Sequence, residues 1–238
     1  MNAMNKLFIV ILLAISCLLG SCGAGGHDYA SEDPSALTES TNTFDLSTAW
    51  KRLIQTGYGQ TFYLYLGTCE GTIHIEQSGD PSLQLTQTIT QESFNNCNDG
   101  VYRPLKTRNT TTYYDAEGRN NYFETTDDEF AWWSSPSDFP SAVKVSDNGL
   151  IGQVDIYKTS SFVYDRSEVW RYDILPHTAS TALFVLKIAT YTFDTSAQSW
   201  AWQATEEQSF VISATNTLTP IMISRHNVSG FEISARIH

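Results

Sequence analysis

Phe62-Tyr63-Leu64-Tyr65-Leu66 places a large apolar side chain at every second position, with tyrosines between them. A period of two puts Phe62, Leu64 and Leu66 on one face of a strand. Almost everything after Gly57 repeats this reading. Ile73 and Ile75 follow beyond Gly67 and Gly71, two glycines that point to a bulge or sharp bend. Gly79-Asp80-Pro81 is a turn, after which Leu83, Leu85 and Ile89 alternate with polar residues. Asn98-Asp99-Gly100 turns the chain again. Residues 110–114 are strand-like and end in the hairpin turn Asp115-Ala116-Glu117-Gly118. Residues 119–140 mix aromatics with acids and read as one strand and a long loop.

Val143 and Val145 lead to the turn Asp147-Asn148-Gly149, with Ile151, Val154 and Ile156 on the returning arm. Two further arms, 162–175 and 181–193, meet near Pro176-His177. The second is nearly continuous in apolar residues from Ala182 to Leu186 and is expected to be the most buried. Segments 200–212, 221–225 and 231–237 complete the set. About ten strands joined by short turns predict an all-β fold, a curved antiparallel up-and-down sheet or barrel; a β-sandwich is the alternative.

Upstream the period changes. Leu46, Ala49, Trp50, Leu53 and Ile54 recur at helical spacing, with Lys51, Arg52 and Gln55 opposite them. Asp45 or Ser47 can cap this helix and Gly57 can end it. It is expected to lie over one face or mouth of the sheet.

The first residues have another character. Lys6 precedes an apolar run from Leu7 to Leu19, too short to span a bilayer, which takes roughly 20 apolar residues. Leu19-Gly20-Ser21-Cys22 then resembles the lipobox of bacterial membrane lipoproteins. The resemblance implies a signal peptide at 1–21, acyl chains on Cys22, and a place in the cell envelope. Gly23 after the cysteine points by the same likeness to the outer membrane, facing the periplasm or the exterior. A Gly- and Ser-rich tether occupies 22–44 and the β-domain 45–238. The β-domain also resembles, in outline, lipid-carrying periplasmic barrels and lipocalins, and the envelope lipoproteins built as one β-domain behind a tether.

Composition narrows function. The 238 residues are 41% hydrophobic and 17% charged, with a formal net charge of −12. Lys6 is the sole charge before Cys22, so the chain from Cys22 onward carries −13. Such a balance argues against nucleic acid, whose phosphates need Lys and Arg. Membrane attachment therefore falls to lipid on Cys22. Cys69 and Cys97 are left as a disulfide pair in an exported domain.

No nucleophile motif, phosphate loop or cofactor signature appears, and no two of the five histidines stand at metal-ligand spacing. Asp115-Ala116-Glu117-Gly118-Arg119 departs from the EF-hand pattern and reads as a turn with exposed acids. The aromatic clusters remain: Phe130, Trp132 and Trp133 beside acids, and Trp200 with Trp202 on one strand. They are candidate contacts for a sugar or apolar ligand or an envelope protein, although tryptophans two apart on a strand more often belong to a core. A non-catalytic binding module is the leading expectation. An envelope hydrolase using carboxylates among Asp127, Asp128 and Glu129, or a purely structural lipoprotein, are the alternatives.

Overall fold

The structure, a computed structural model, describes residues 40–66, 69–95, 97, 105–134, 137–230 and 232–237. Expectations for the signal segment, Cys22, Gly67, the Asn98-Asp99-Gly100 turn and most of the tether lie outside them.

The alternation closes into one antiparallel barrel of twelve strands. They are β1 (Tyr58–Leu66), β2 (Cys69–Asp80), β3 (Leu85–Asn95), β4 (Lys106–Tyr114), β5 (Asn120–Thr125), β6 (Glu129–Trp133), β7 (Asn148–Lys158), β8 (Val163–Pro176), β9 (Thr181–Asp194), β10 (Ser199–Ser213), β11 (Leu218–Asn227) and β12 (Glu232–Arg236). Each pairs with its neighbours in sequence, and β1 closes on β12 with Leu64 opposite Ala235. Closure leaves no free sheet edge. On β2 the inward residues Ile73 and Ile75 are buried, while Glu70, His74 and Glu76 point outward. Gly71 is a close approach rather than a bend: a Cβ there would stand 2.1 Å from the Ser93 carbonyl oxygen. A Cys69–Cys97 disulfide ties the open ends of the β2–β3 hairpin.

A twelve-stranded barrel is wider than the eight-stranded kind, whose side chains can fill the interior. Here a helix fills one end. Helix α1 (Leu46–Thr56) is capped by Asp45, whose carboxylate accepts from the Thr48 amide at 2.9 Å. It ends at Gly57, with φ of 69°, whose amide donates to the Leu53 carbonyl. The late carbonyls of α1 are met from the sheet: Thr86 Oγ1 donates to Ile54 and Gln77 Nε2 to Leu53. Leu46, Ala49, Trp50, Leu53 and Ile54 are all buried. Trp50 stacks on Phe139 at 4.5 Å and meets Phe210 edge-on. Phe184, Leu186, Ile174 and Ile212 complete this plug. β9 thus contributes Phe184 and Leu186 to the interior, with Leu183 on the opposite side.

Two local expectations change. Residues 119–140 hold two strands, β5 and β6, because Thr126–Asp127–Asp128 forms a tight turn with Asp128 at φ 61°. Asp147-Asn148-Gly149 does not join two arms. Val143 only bridges Phe44, and β7 begins at Asn148.

Candidate functional site

Strand parity sorts the candidate aromatics. On β6, Ala131 and Trp133 face inward and Trp132 faces outward. Trp133 is buried and meets Trp170 edge-on at 4.9 Å. Trp132 is 55% exposed. The sequence grouped the two, but they serve opposite sides of the wall. Phe130, also outward, is covered by Tyr157, stacked at 5.3 Å, and by Phe162 at 5.5 Å. On β10, Trp200 is 51% exposed, whereas Trp202 is half-buried against His226, with Nε1 donating to Thr205 Oγ1.

The outward rings join into one row. Tyr113 on β4 meets Tyr122 on β5 at 5.5 Å, and Tyr122 meets Trp132 at 4.9 Å and Phe130 at 6.4 Å. Phe130 leads to Tyr157 on β7, Tyr157 to Tyr164 on β8 at 5.6 Å, and Tyr164 to Trp200 at 5.7 Å. Trp200 then meets Phe193 of β9 at 5.5 Å. The row therefore crosses every strand from β4 to β10. Its members Tyr113, Tyr122, Tyr157, Tyr164 and Phe193 were not singled out from the sequence. They lie one per strand, and only the barrel register brings them together.

Acceptors accompany the rings. Glu124 accepts from the Tyr113 hydroxyl at 3.2 Å. Asp155 stands opposite Trp132 in register and accepts from Ser167, which in turn accepts from the Tyr164 hydroxyl. Burial raises the Tyr113 and Tyr122 phenols above their usual range, and the Glu124 charge raises them further, so both remain donors. Phe162, 77% exposed at the β7–β8 turn, has φ of 52°, unusual for a bulky residue. Asp128 of the neighbouring turn holds that loop, accepting from the Ser160 amide at 2.9 Å and from its hydroxyl. Strain of this kind persists where surroundings impose it, often at functional sites.

The acids weighed for hydrolysis are spoken for. Glu129 is buried and accepts from Nη1 and Nη2 of Arg166, at 2.7 and 3.0 Å, from Lys158 at 3.0 Å and from Arg108 at 2.9 Å. Burial alone would raise its pKa. The bonds from Arg166 and Lys158 and the charges of Arg166 and Arg108 outweigh that and pull it to about 2. Such a carboxyl has no proton to give near neutral pH. Asp127 lies 3.3 Å from Arg108, and Asp128 holds the Ser160 turn. The Asp115 loop is filled by its own chain: Arg119 Nε donates to Asp115 at 2.7 Å. Among the described residues no cluster of His, Cys, Asp or Glu suits a metal ion.

No protein-family model, curated protein or solved structure matches the chain. Fold and site together define a closed antiparallel barrel, plugged by a helix at one end, with an aromatic row on its outer wall.

Proposed function

We propose that this chain is a lipid-anchored envelope protein and a non-catalytic binding module, whose outer aromatic row takes a neutral glycan. The observation that carries the binding reading is the unbroken run of outward rings from Tyr113 to Trp200, with Trp132, Phe162 and Trp200 exposed. Rings present flat apolar faces to sugar C–H groups, and Glu124 and Asp155 beside them can accept from sugar hydroxyls. The net charge of −12 disfavours anionic polysaccharides and anionic lipid headgroups, which leaves a neutral chain as the matching ligand. The anchor rests on the run Leu19-Gly20-Ser21-Cys22. Two or more acyl chains hold firmly where one does not.

Affinity electrophoresis in gels containing neutral polysaccharides tests the binding reading. The wild type is expected to be retarded, and a Trp132→Ala, Trp200→Ala variant to run as in a blank gel. Equal retardation of both, or of neither, contradicts it. For the anchor, labelled palmitate should enter the wild type and not Cys22→Ala; equal labelling of the two refutes lipidation at that residue.

A further inference from the structure

Beyond the helix plug the interior holds two smaller apolar clusters, around Phe62 and around Ile156, and is otherwise not filled. A cavity of about 640 Å³ remains toward the end carrying the β5–β6 turn, within the range of small-molecule sites. Its wall carries Glu92, Arg108, Arg166, Glu168, Glu206 and Arg225, from five strands. Such a wall is a poor match for an apolar ligand, since each charge it covers would lose water without gaining a partner.

The guanidiniums are already neutralised. Arg225 donates to Glu206 at 2.6 Å and to Glu92 at 3.3 Å. Arg166 is shared by Glu129 and Asp165, and Arg108 by Glu129 and Asp127. With Lys106, which also lines the cavity, five cations stand against six acids once Glu129, Asp165 and Lys158 just behind the wall are counted. Three cations, Arg108, Lys158 and Arg166, face four acids, Asp127, Glu129, Asp165 and Glu168. Arg225 pairs with both Glu92 and Glu206. An anionic ligand at Arg108, Arg166 or Arg225 would have to displace these pairs.

Glu168 is the acid left short. Its side chain is 14% exposed, and the nearest cationic atom, Arg166 Nε, is 3.7 Å away, beyond hydrogen-bond reach. Among the described residues its one hydrogen bond is accepted from Trp170 Nε1 at 3.2 Å. Burial raises its pKa; Arg166, Trp170 and the more distant Arg108 oppose that, while the nearby Glu206 charge adds to it. A buried carboxylate whose cation stands out of hydrogen-bond reach and is shared with two other acids, Glu129 and Asp165, is costly and is relieved by a ligand that brings a further cation.

We infer that the barrel lumen is a second binding site, for a small hydrophilic organic amine whose ammonium group pairs with Glu168. Hydroxyls on the same molecule would meet Thr90 and Thr190, which also line the cavity. The inference is independent of the glycan reading, because it concerns the inner wall.

The test uses the purified full-length chain and tryptophan fluorescence, since Trp170 touches Glu168 directly. Glucosamine, ethanolamine and spermidine are titrated beside glucose and ethylene glycol. At least one amine is expected to bind at least tenfold more tightly than the uncharged compounds. Glu168→Gln, which keeps an acceptor for Trp170, should lose that preference at least tenfold while melting no lower than the wild type. Glu76→Gln, which removes an outward-facing carboxylate of β2, should leave the titration unchanged. Equal binding of amine and neutral probes, binding unaffected by Glu168→Gln, or no binding by any amine would each overturn the assignment.

Discussion

The two ends of this barrel are made from the same alternating strands and solve opposite problems. At the helix end, α1 inserts Trp50, Leu53 and Ile54 among Phe184, Phe210 and Ile212, and the interior is apolar and filled. At the other end the inward positions of β3, β4, β8, β10 and β11 carry Glu92, Arg108, Arg166, Glu206 and Arg225 around a cavity. Apolar burial supplies about 25 cal/mol per Å² without regard to direction, so the first end stabilises the fold. Ion pairs held from water contribute little net stability, so the second end adds little to the fold's stability. Strand parity makes both possible, since each wall position is dedicated to the inside or the outside.

That contrast is broken most severely at the plug. Phe184 is fully buried, and its neighbours are held in place by closed strands on both sides. Phe184→Ala should destabilise by about 4 kcal/mol through lost burial and the cavity left behind. Urea unfolding would measure it; a loss below about 1 kcal/mol would mean that the helix end does not hold the fold.

A smaller effect is expected at the open end. Glu129→Gln removes the charge that three cations share, and should cost roughly 2–3 kcal/mol at neutral pH. The pH dependence follows from the sign of the shift. The Glu129 pKa is lowered from 4.5 when unfolded to about 2 when folded, so its stabilisation is complete above 4.5 and is lost as pH falls toward 2. Comparing urea midpoints at pH 6 and pH 3 should show a larger acid loss in the wild type than in Glu129→Gln. Parallel losses would place the acid sensitivity elsewhere.

Much of the fold was legible because alternation is a local signal. Phe62, Leu64, Ile73 and Ile75 announce their inward faces, Asp45 and Gly57 bracket the helix, and Cys69 and Cys97, the two cysteines of the β-domain, form the expected disulfide. The short strands β5 and β6 were hidden by polar Asn120, Asn121 and Glu129 and by the acidic turn between them. The site was legible only in fragments. Parity alone separates Trp132 from Trp133, adjacent residues on one strand, and could have been applied from sequence. The row from Tyr113 to Trp200, and the meeting of Glu92 with Arg225, depend on register and closure, which no local pattern encodes.

The division of labour between the two faces is tested most directly on those two neighbouring tryptophans. Trp132→Ala and Trp133→Ala are compared with the wild type by thermal melting and by retardation in neutral-polysaccharide gels. Trp132→Ala is expected to shift stability by less than about 0.5 kcal/mol, as exposed positions do, and to lose most of its retardation. Trp133→Ala is expected to lose about 3 kcal/mol as a buried indole and, where still folded, to be retarded like the wild type. A Trp132→Ala protein that melts far below the wild type, or that binds glycan unchanged, would contradict an outer wall devoted to recognition.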